Sequence, residues 1–204
     1  MLRQHQDVAN NNRRCRSYAS LDPAYKTFTR RNMDIRTQLL RKHSRENADF
    51  VQQYVEQNPQ SLIELMVCFF SEEIKVVQRA AQVVGNFGRE HPEALSPWWG
   101  EMAEACENPI HIAIVRNVTR YFSELELKIE PDLERRLMEL FGKYSFDAAQ
   151  PVAVRVFAMQ FIADRANRYP KYGPQLQTVL ERDMPGGSTG FRNRGQKILK
   201  QLGS

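Results

Sequence analysis

Three arginines recur at one register of this 204-residue chain. Arg116, Arg155 and Arg192 each follow an apolar residue and are separated by 39 and 37 positions. A guanidinium is planar, permanently charged and presents a fork of donors, so a ladder of them suits the carboxylates of an acidic peptide or a phosphate backbone. The competing role is internal. Pairing with acids of neighbouring turns, such as Glu72, Glu73 or Asp147, would hold adjacent elements in register, and this structural role is the expectation. A glycine-rich loop, Pro185-Gly186-Gly187-Ser188-Thr189-Gly190-Phe191, runs into a helix that bears Arg192, Arg194 and Lys197. Free amides at a helix start beside two guanidiniums suit a phosphate. The loop lacks the Lys-Ser/Thr end of a nucleotide-binding loop, and its plainer reading is an inter-helix turn capped by Ser188 or Thr189. Trp98 and Trp99 follow Pro97 at a helix start, with rings about 100° apart. One ring is expected in the core, leaving the other as a candidate to anchor a peptide or stack on a base.

The remaining chemistry-bearing residues point to no reaction. Glu101, Glu104 and Glu107, and Asp132 with Glu134, read as solvated helix faces rather than as carboxylate pairs in a cleft. His5, His43, His91 and His111 have no partner four residues away and no nearby cysteine, so no metal site is assigned. Cys15, Cys68 and Cys106 form no Cys-x-x-Cys pair. They read as free thiols of a reducing cytoplasm, with Cys68 and Cys106 as small core residues. No catalytic residue or cofactor is assigned.

The elements that would position the arginines are helices. Pro151 to Arg168 has only Arg155 and Gln160 as strongly polar residues between Val152 and Ala163, so its helix is apolar almost all round and belongs at the centre of the fold. Its Val154, Phe157, Ala158 and Phe161 match Val115, Val118, Thr119 and Phe122 at the same offsets. Val77, Ala80, Ala81 and Val84 match too, as do Phe191, Arg194, Gly195 and Ile198. Starts 38, 39 and 37 residues apart define a helical repeat of HEAT-like size. Caps and breakers outline ten helices in five antiparallel pairs, among them Ala94 to Cys106 and a last helix that serves as a solvated cap. The fold class is thus all-α: a right-handed α-solenoid over residues 33–204. Phe157 is expected between repeats, where truncation to alanine would leave a cavity.

Charge divides the chain. Residues 1–45 hold eleven Lys/Arg against three acids, and residues 46–204 hold 18 against 21, a net of −3. The formal +5 therefore belongs mainly to the N-terminal stretch, and nucleic-acid binding by the body is disfavoured. Residues 1–32 read as a disordered basic arm. The alternatives are a mitochondrial transit peptide, translation starting at Met33, a tail touching RNA or an anionic surface, and a plain solvated tail. Leu65 to Phe70 is the longest uncharged apolar run and is too short to span a bilayer; Met1 to Ser20 lacks the centre of a secretory signal.

Val77 to Gly85, VQRAAQVVG, resembles the second helix of a HEAT repeat. IEPDLERRLMELF through PQLQTVLERDMPGGSTGFRNRGQKILKQL resembles the C-terminal part of a family of small bacterial proteins of about two hundred residues, over Ile129 to Leu202. Members of that family are often labelled adenylosuccinate lyase. The lyases' Ser-Ser-x-Met-Pro-x-Lys-x-Asn signature has no counterpart here, so the resemblance implies a fold and a cytoplasmic location and transfers no catalytic residue. The leading expectation is a non-enzymatic module that binds a protein partner on its concave face through Arg116, Arg155, Arg192, Arg194, Lys197, Trp98 and Trp99. The alternatives are nucleic-acid binding, including a DNA-repair glycosylase of the HEAT-like alkylpurine type, and a purine-metabolism enzyme. The sequence leaves the oligomeric state open.

Overall fold

Side-chain caps open four of the described helices, at Asp34, Ser44, His111 and Ser188. The computed structural model describes residues 33–203, and all regular structure among them is helical. Asp34 caps α1 (Ile35–Arg41) by accepting from the Thr37 amide, and Ser44 caps α2 (Arg45–Gln57) by accepting from Asn47. There follow α3 (Ser61–Phe69), α4 (Ile74–Glu90), a 3₁₀ segment (Pro92–Trp98), α5 (Trp99–Glu107) and α6 (Ile112–Glu124). The last four are α7 (Pro131–Phe146), α8 (Val152–Ala163), α9 (Tyr172–Asp183) and α10 (Thr189–Leu202). No helix among the described residues is long and apolar enough to cross a membrane. Residues 1–32, and with them the basic arm, Cys15 and His5, lie outside the described residues, as does Ser204.

The chain divides into two compact units, one ending at Ala80 and the other beginning at Ala81. In the N-terminal unit α1 packs on α2 and α3, which pack on each other. Ile35, Leu39, Val51, Val55, Leu65 and Phe69 are fully buried. Asn47 joins α1 to α2, donating to the Gln38 and Lys42 carbonyls at 3.0 and 2.9 Å. The orphan amide at the start of α1 is met by Glu64, whose Oε1 accepts from Ile35 at 2.8 Å. Cys68 is buried, and desolvation pushes its thiol up to about 12, so it stays protonated and inert at neutral pH.

In the C-terminal unit α8 is the central helix. It packs on α6, α7, α9 and α10. Its neighbours fall into two rows: α5 touches α7 and α7 touches α9, while α6 and α10 each touch α8. The pairs α5–α6, α7–α8 and α9–α10 link the rows. The repeating register is buried: Val115, Val118, Thr119 and Phe122 on α6, Val154, Ala158 and Phe161 on α8, and Phe191, Gly195 and Ile198 on α10. Gly195 is required by closeness, because a Cβ there would lie 2.7 Å from the Met184 sulfur. Rings fill the middle. Phe141 and Phe161 meet edge to face at 5.0 Å between centroids, and Phe122 lies 6.2 and 6.5 Å from them.

Three local expectations are corrected. Ala94 to Cys106 is not one helix: Pro97 has no amide for a fourth-neighbour bond and its ring crowds the preceding turn, so the chain runs as tight 3₁₀ turns and becomes α-helical only at Trp99. The central helix stops at Ala163 rather than Arg168. Beyond it the amides of Arg165, Ala166 and Arg168 bond to carbonyls three residues back, and these turns deliver Arg165 and Arg168 to Glu134. Phe157, expected inside, is half-buried under the Arg120 guanidinium, which sits 5.4 Å from its ring centroid.

Trp99 is the core ring of the Trp pair. Its indole N–H donates to the Tyr121 hydroxyl at 2.8 Å, and that hydroxyl donates to the Pro92 carbonyl at 2.6 Å. Burial lifts the Tyr121 phenol to about 12, which keeps its proton in place. Tyr121→Phe would strand a buried indole N–H and a carbonyl together. A loss of about 1–3 kcal/mol is expected in urea unfolding followed by tryptophan fluorescence. A loss under about 0.5 kcal/mol would mean that the two groups find other partners.

Candidate functional site

Side chains of α6, α8 and α10 meet on one side of the C-terminal unit. On α8 and its C-cap the strip not covered by other helices carries Ala153, Phe157, Gln160 and the cap residue Asp164, spaced so that they share one face. Side chains from both flanking helices reach across to it. From α6, Arg120 covers Phe157 while its Nε donates to Glu124 at 3.0 Å. From α10, Arg194 donates to the Gln160 Oε1 at 2.9 Å, and Gln201 donates to the Asp164 carboxylate at 2.9 Å. Gln160 donates to the same carboxylate at 2.8 Å. The result is one polar and aromatic strip tied across three helices.

Cations mark its edges. Arg116 lies one turn before Arg120 on the same face of α6, and Lys197 lies one turn after Arg194 on α10. Both are exposed, and no ion pair reaches either among the described residues. Ile112, 37% exposed, adds an apolar surface at the start of α6.

The other sequence candidates are held internally. Arg155 is 5% exposed. Its Nε donates to the Ser145 carbonyl at 3.2 Å, an Nη donates to Asp183, and the guanidinium lies 4.8 Å from the Phe191 ring centroid. It thus ties α8 to the ends of α7 and α9 and the start of α10. The pairing partner is Asp183, not Glu72, Glu73 or Asp147. Glu73 pairs with Arg36, and Asp147 accepts from Ala149 and Gln150 of its own turn. Arg192 folds back onto the Gly187 carbonyl at 2.5 Å, and the Ser188 hydroxyl accepts from the Phe191 amide at 3.3 Å. The glycine-rich loop is therefore a capped turn whose arginine is already engaged. Trp98 is half-buried beside the buried Trp99.

No family model, curated protein or solved structure matches this chain.

What the strip can do follows from its own groups: three cations without an ion pair among the described residues (Arg116, Arg194 and Lys197), the Asp164 carboxylate, amide donors and acceptors, and one aromatic ring. Such a set offers charge, hydrogen bonds and an aromatic ring, and among its residues no nucleophile stands beside a base. The sequence named Arg116, Arg194 and Lys197 but missed Arg120, Gln160, Asp164 and Gln201. Two signals were present in the i,i+4 pairs Arg120–Glu124 and Gln160–Asp164.

Glu134 is the main reversal. It was expected on a solvated face and is 4% exposed. Its carboxylate accepts from Arg165 Nε at 3.1 Å and Arg168 Nη2 at 2.8 Å. Arg165 is itself buried, 3.8 Å from the Phe161 ring centroid, and desolvation lowers its proton affinity against the pull of Glu134. Both charges are consumed by each other.

Asp183 gives a pH prediction. Its two bonds from Arg182, and then the contact with Arg155, hold the carboxyl down at about 2. A folded-state pKa below the unfolded value of about 4 stabilises the fold above that pH and loses the contribution as pH falls toward about 2. Asp183→Asn should therefore flatten the fall of melting temperature between those limits. An unchanged slope would show that Asp183 is not coupled to folding.

Proposed function

We propose that this chain is a non-enzymatic protein-interaction module, a HEAT-like right-handed solenoid of antiparallel helix pairs over residues 33–204 whose second helices line a concave binding face. The observation that carries the reading is the cross-tied strip on α6, α8 and α10, in which Gln160, Asp164, Arg194 and Gln201 restrain one another and Arg120 reaches from α6 onto Phe157. Preorganised side chains lose little entropy on binding, so such a surface suits recognition. The two-row packing of α5 to α10 and the buried register spaced by 39 and 37 residues support the repeat architecture. The buried charges Glu134, Arg155 and Arg165 support a non-catalytic reading, because each is satisfied by a partner within the fold. A cytoplasmic location accords with buried, unreactive Cys68 and Cys106 thiols, both raised by desolvation.

The test is capture of partners on the immobilised full chain, with and without nuclease, followed by lysine cross-linking and mass spectrometry. A nuclease-resistant protein cross-linked through Lys197 is the expected result. Recovery of nucleic acid alone would favour the alternative of DNA or RNA binding. Cross-links confined to Lys42 and Lys75 would remove the face on α6, α8 and α10 from consideration.

A further inference from the structure

The chemistry of the strip narrows what it would hold. Its outward groups are Arg116, Arg120, Arg194 and Lys197 against Glu124 and Asp164. Both acids are already engaged: Glu124 by Arg120, and Asp164 by Gln160 and Gln201. Arg120 and Arg194 are engaged too, the first over Phe157 and the second by Gln160. Four cations against two carboxylates give the strip a net of +2, and Arg116 and Lys197 are its two cations that no described group engages. This is a local excess on a body whose residues 46–204 carry a net of −3. It is therefore a feature of this surface rather than of the protein at large.

Spacing adds a second constraint. Because α8 touches both α6 and α10, the two cations stand on helices separated by one intervening helix. With interaxial distances of 8–10 Å, their axes are roughly 16–20 Å apart, which an extended chain covers in about five or six residues. Between them lies the half-buried Phe157 ring, with Ala153 one turn before it on α8 and the Arg120 guanidinium over it. A polyphosphate backbone would offer charge at every step, for which two separated cations are a poor match. A peptide offers charge at two positions and an apolar side chain between them.

We propose that the strip on α6, α8 and α10 recognises an acidic segment of a partner protein. One carboxylate goes to Arg116 and a second, five or six residues along, to Lys197, with an apolar side chain between them, against Ala153 and the part of Phe157 that Arg120 leaves open. This rests on the interaction-module reading above and assigns its partner class.

A phage library displaying random peptides of about 16 residues, selected on the immobilised full chain, tests both separately. The expected result is enrichment of peptides with two Asp or Glu flanking an apolar residue. For an enriched peptide, Arg116→Glu/Lys197→Glu should weaken binding about tenfold or more, and affinity should fall as salt rises from about 0.05 to about 0.5 M. Circular dichroism checks that the variant keeps its helices. If it does not, Arg116→Gln/Lys197→Gln should show the same loss at about threefold. Enriched peptides without acids, weakened by Phe157→Ser but not by charge reversal, would overturn the acidic partner and leave the binding face standing. No enrichment, or peptides indifferent to all these variants, would overturn the face itself.

Discussion

Replacing Glu134 by alanine is expected to destabilise the C-terminal unit by about 3–5 kcal/mol, the range for removing one partner of a buried ion pair. Arg165 is 7% exposed, so losing the carboxylate leaves a desolvated guanidinium whose remaining contacts are the Phe161 carbonyl and the Phe161 ring. Arg168 loses little, because its side chain is 61% exposed and water replaces the carboxylate. The loss should thus be assigned to Arg165, and a double variant checks this. Glu134→Leu/Arg165→Met removes both charges and keeps apolar volume, so it should recover most of the stability lost by Glu134→Ala. Both tryptophans, Trp98 and Trp99, lie beyond Ala81, so urea unfolding followed by their fluorescence reports this unit. A Glu134→Ala loss below about 1 kcal/mol would show that the pair is solvated in solution.

The same cluster marks the limit of what the sequence carries. The 38-, 39- and 37-residue spacing and the apolar circumference of Val152 to Ala163 are local patterns, and they predicted helices, a repeating buried register and α8 at the centre. The cap at Ser188 or Thr189 was legible for the same reason, and it is Ser188, whose partner lies three residues away. Glu134 was not legible, because Arg165 and Arg168 reach it from 31 and 34 residues away, across a helix end that no local breaker announces. Its immediate neighbours, Asp132 and Arg135, form an exposed pair and give the stretch the look of a solvated face. Arg155 was given both a structural role and a place in the binding set; its buried bond to Asp183 accords with the structural role, through a partner 28 residues on in the next pair that neighbouring turns did not suggest. In the candidate site, the solvated position of Lys197 on the last helix was readable, whereas Arg116 was expected to pair with an acid of a neighbouring turn and is exposed with no ion pair among the described residues. The bonds from Arg194 to Gln160 and from Gln201 to Asp164 depend on packing of α10 against α8 and left no trace in sequence.

Phe161→Ala and Phe157→Ala, four residues apart on α8, should separate folding from binding. Phe161 is fully buried, edge to face with Phe141 at 5.0 Å and capped by the Arg165 guanidinium. Its truncation leaves a cavity among Phe122, Phe141 and Arg165, with little room to relax on a helix packed by four others, and should cost about 3–5 kcal/mol. It also removes the ring over which a buried charge is spread, so its effect should not add simply to that of Glu134→Ala. Phe157 is half-buried and gives up mainly its contact with Arg120, for which about 1 kcal/mol is expected. A peptide bound on the strip would instead lose its apolar seat when Phe157 is removed. Weakened binding with near-normal stability is therefore the signature of Phe157→Ala, and lost stability that of Phe161→Ala. Equal destabilisation by the two variants in urea would mean that the α8 strip belongs to the core, and that the open face on α6, α8 and α10 has been drawn on the wrong side of the helix.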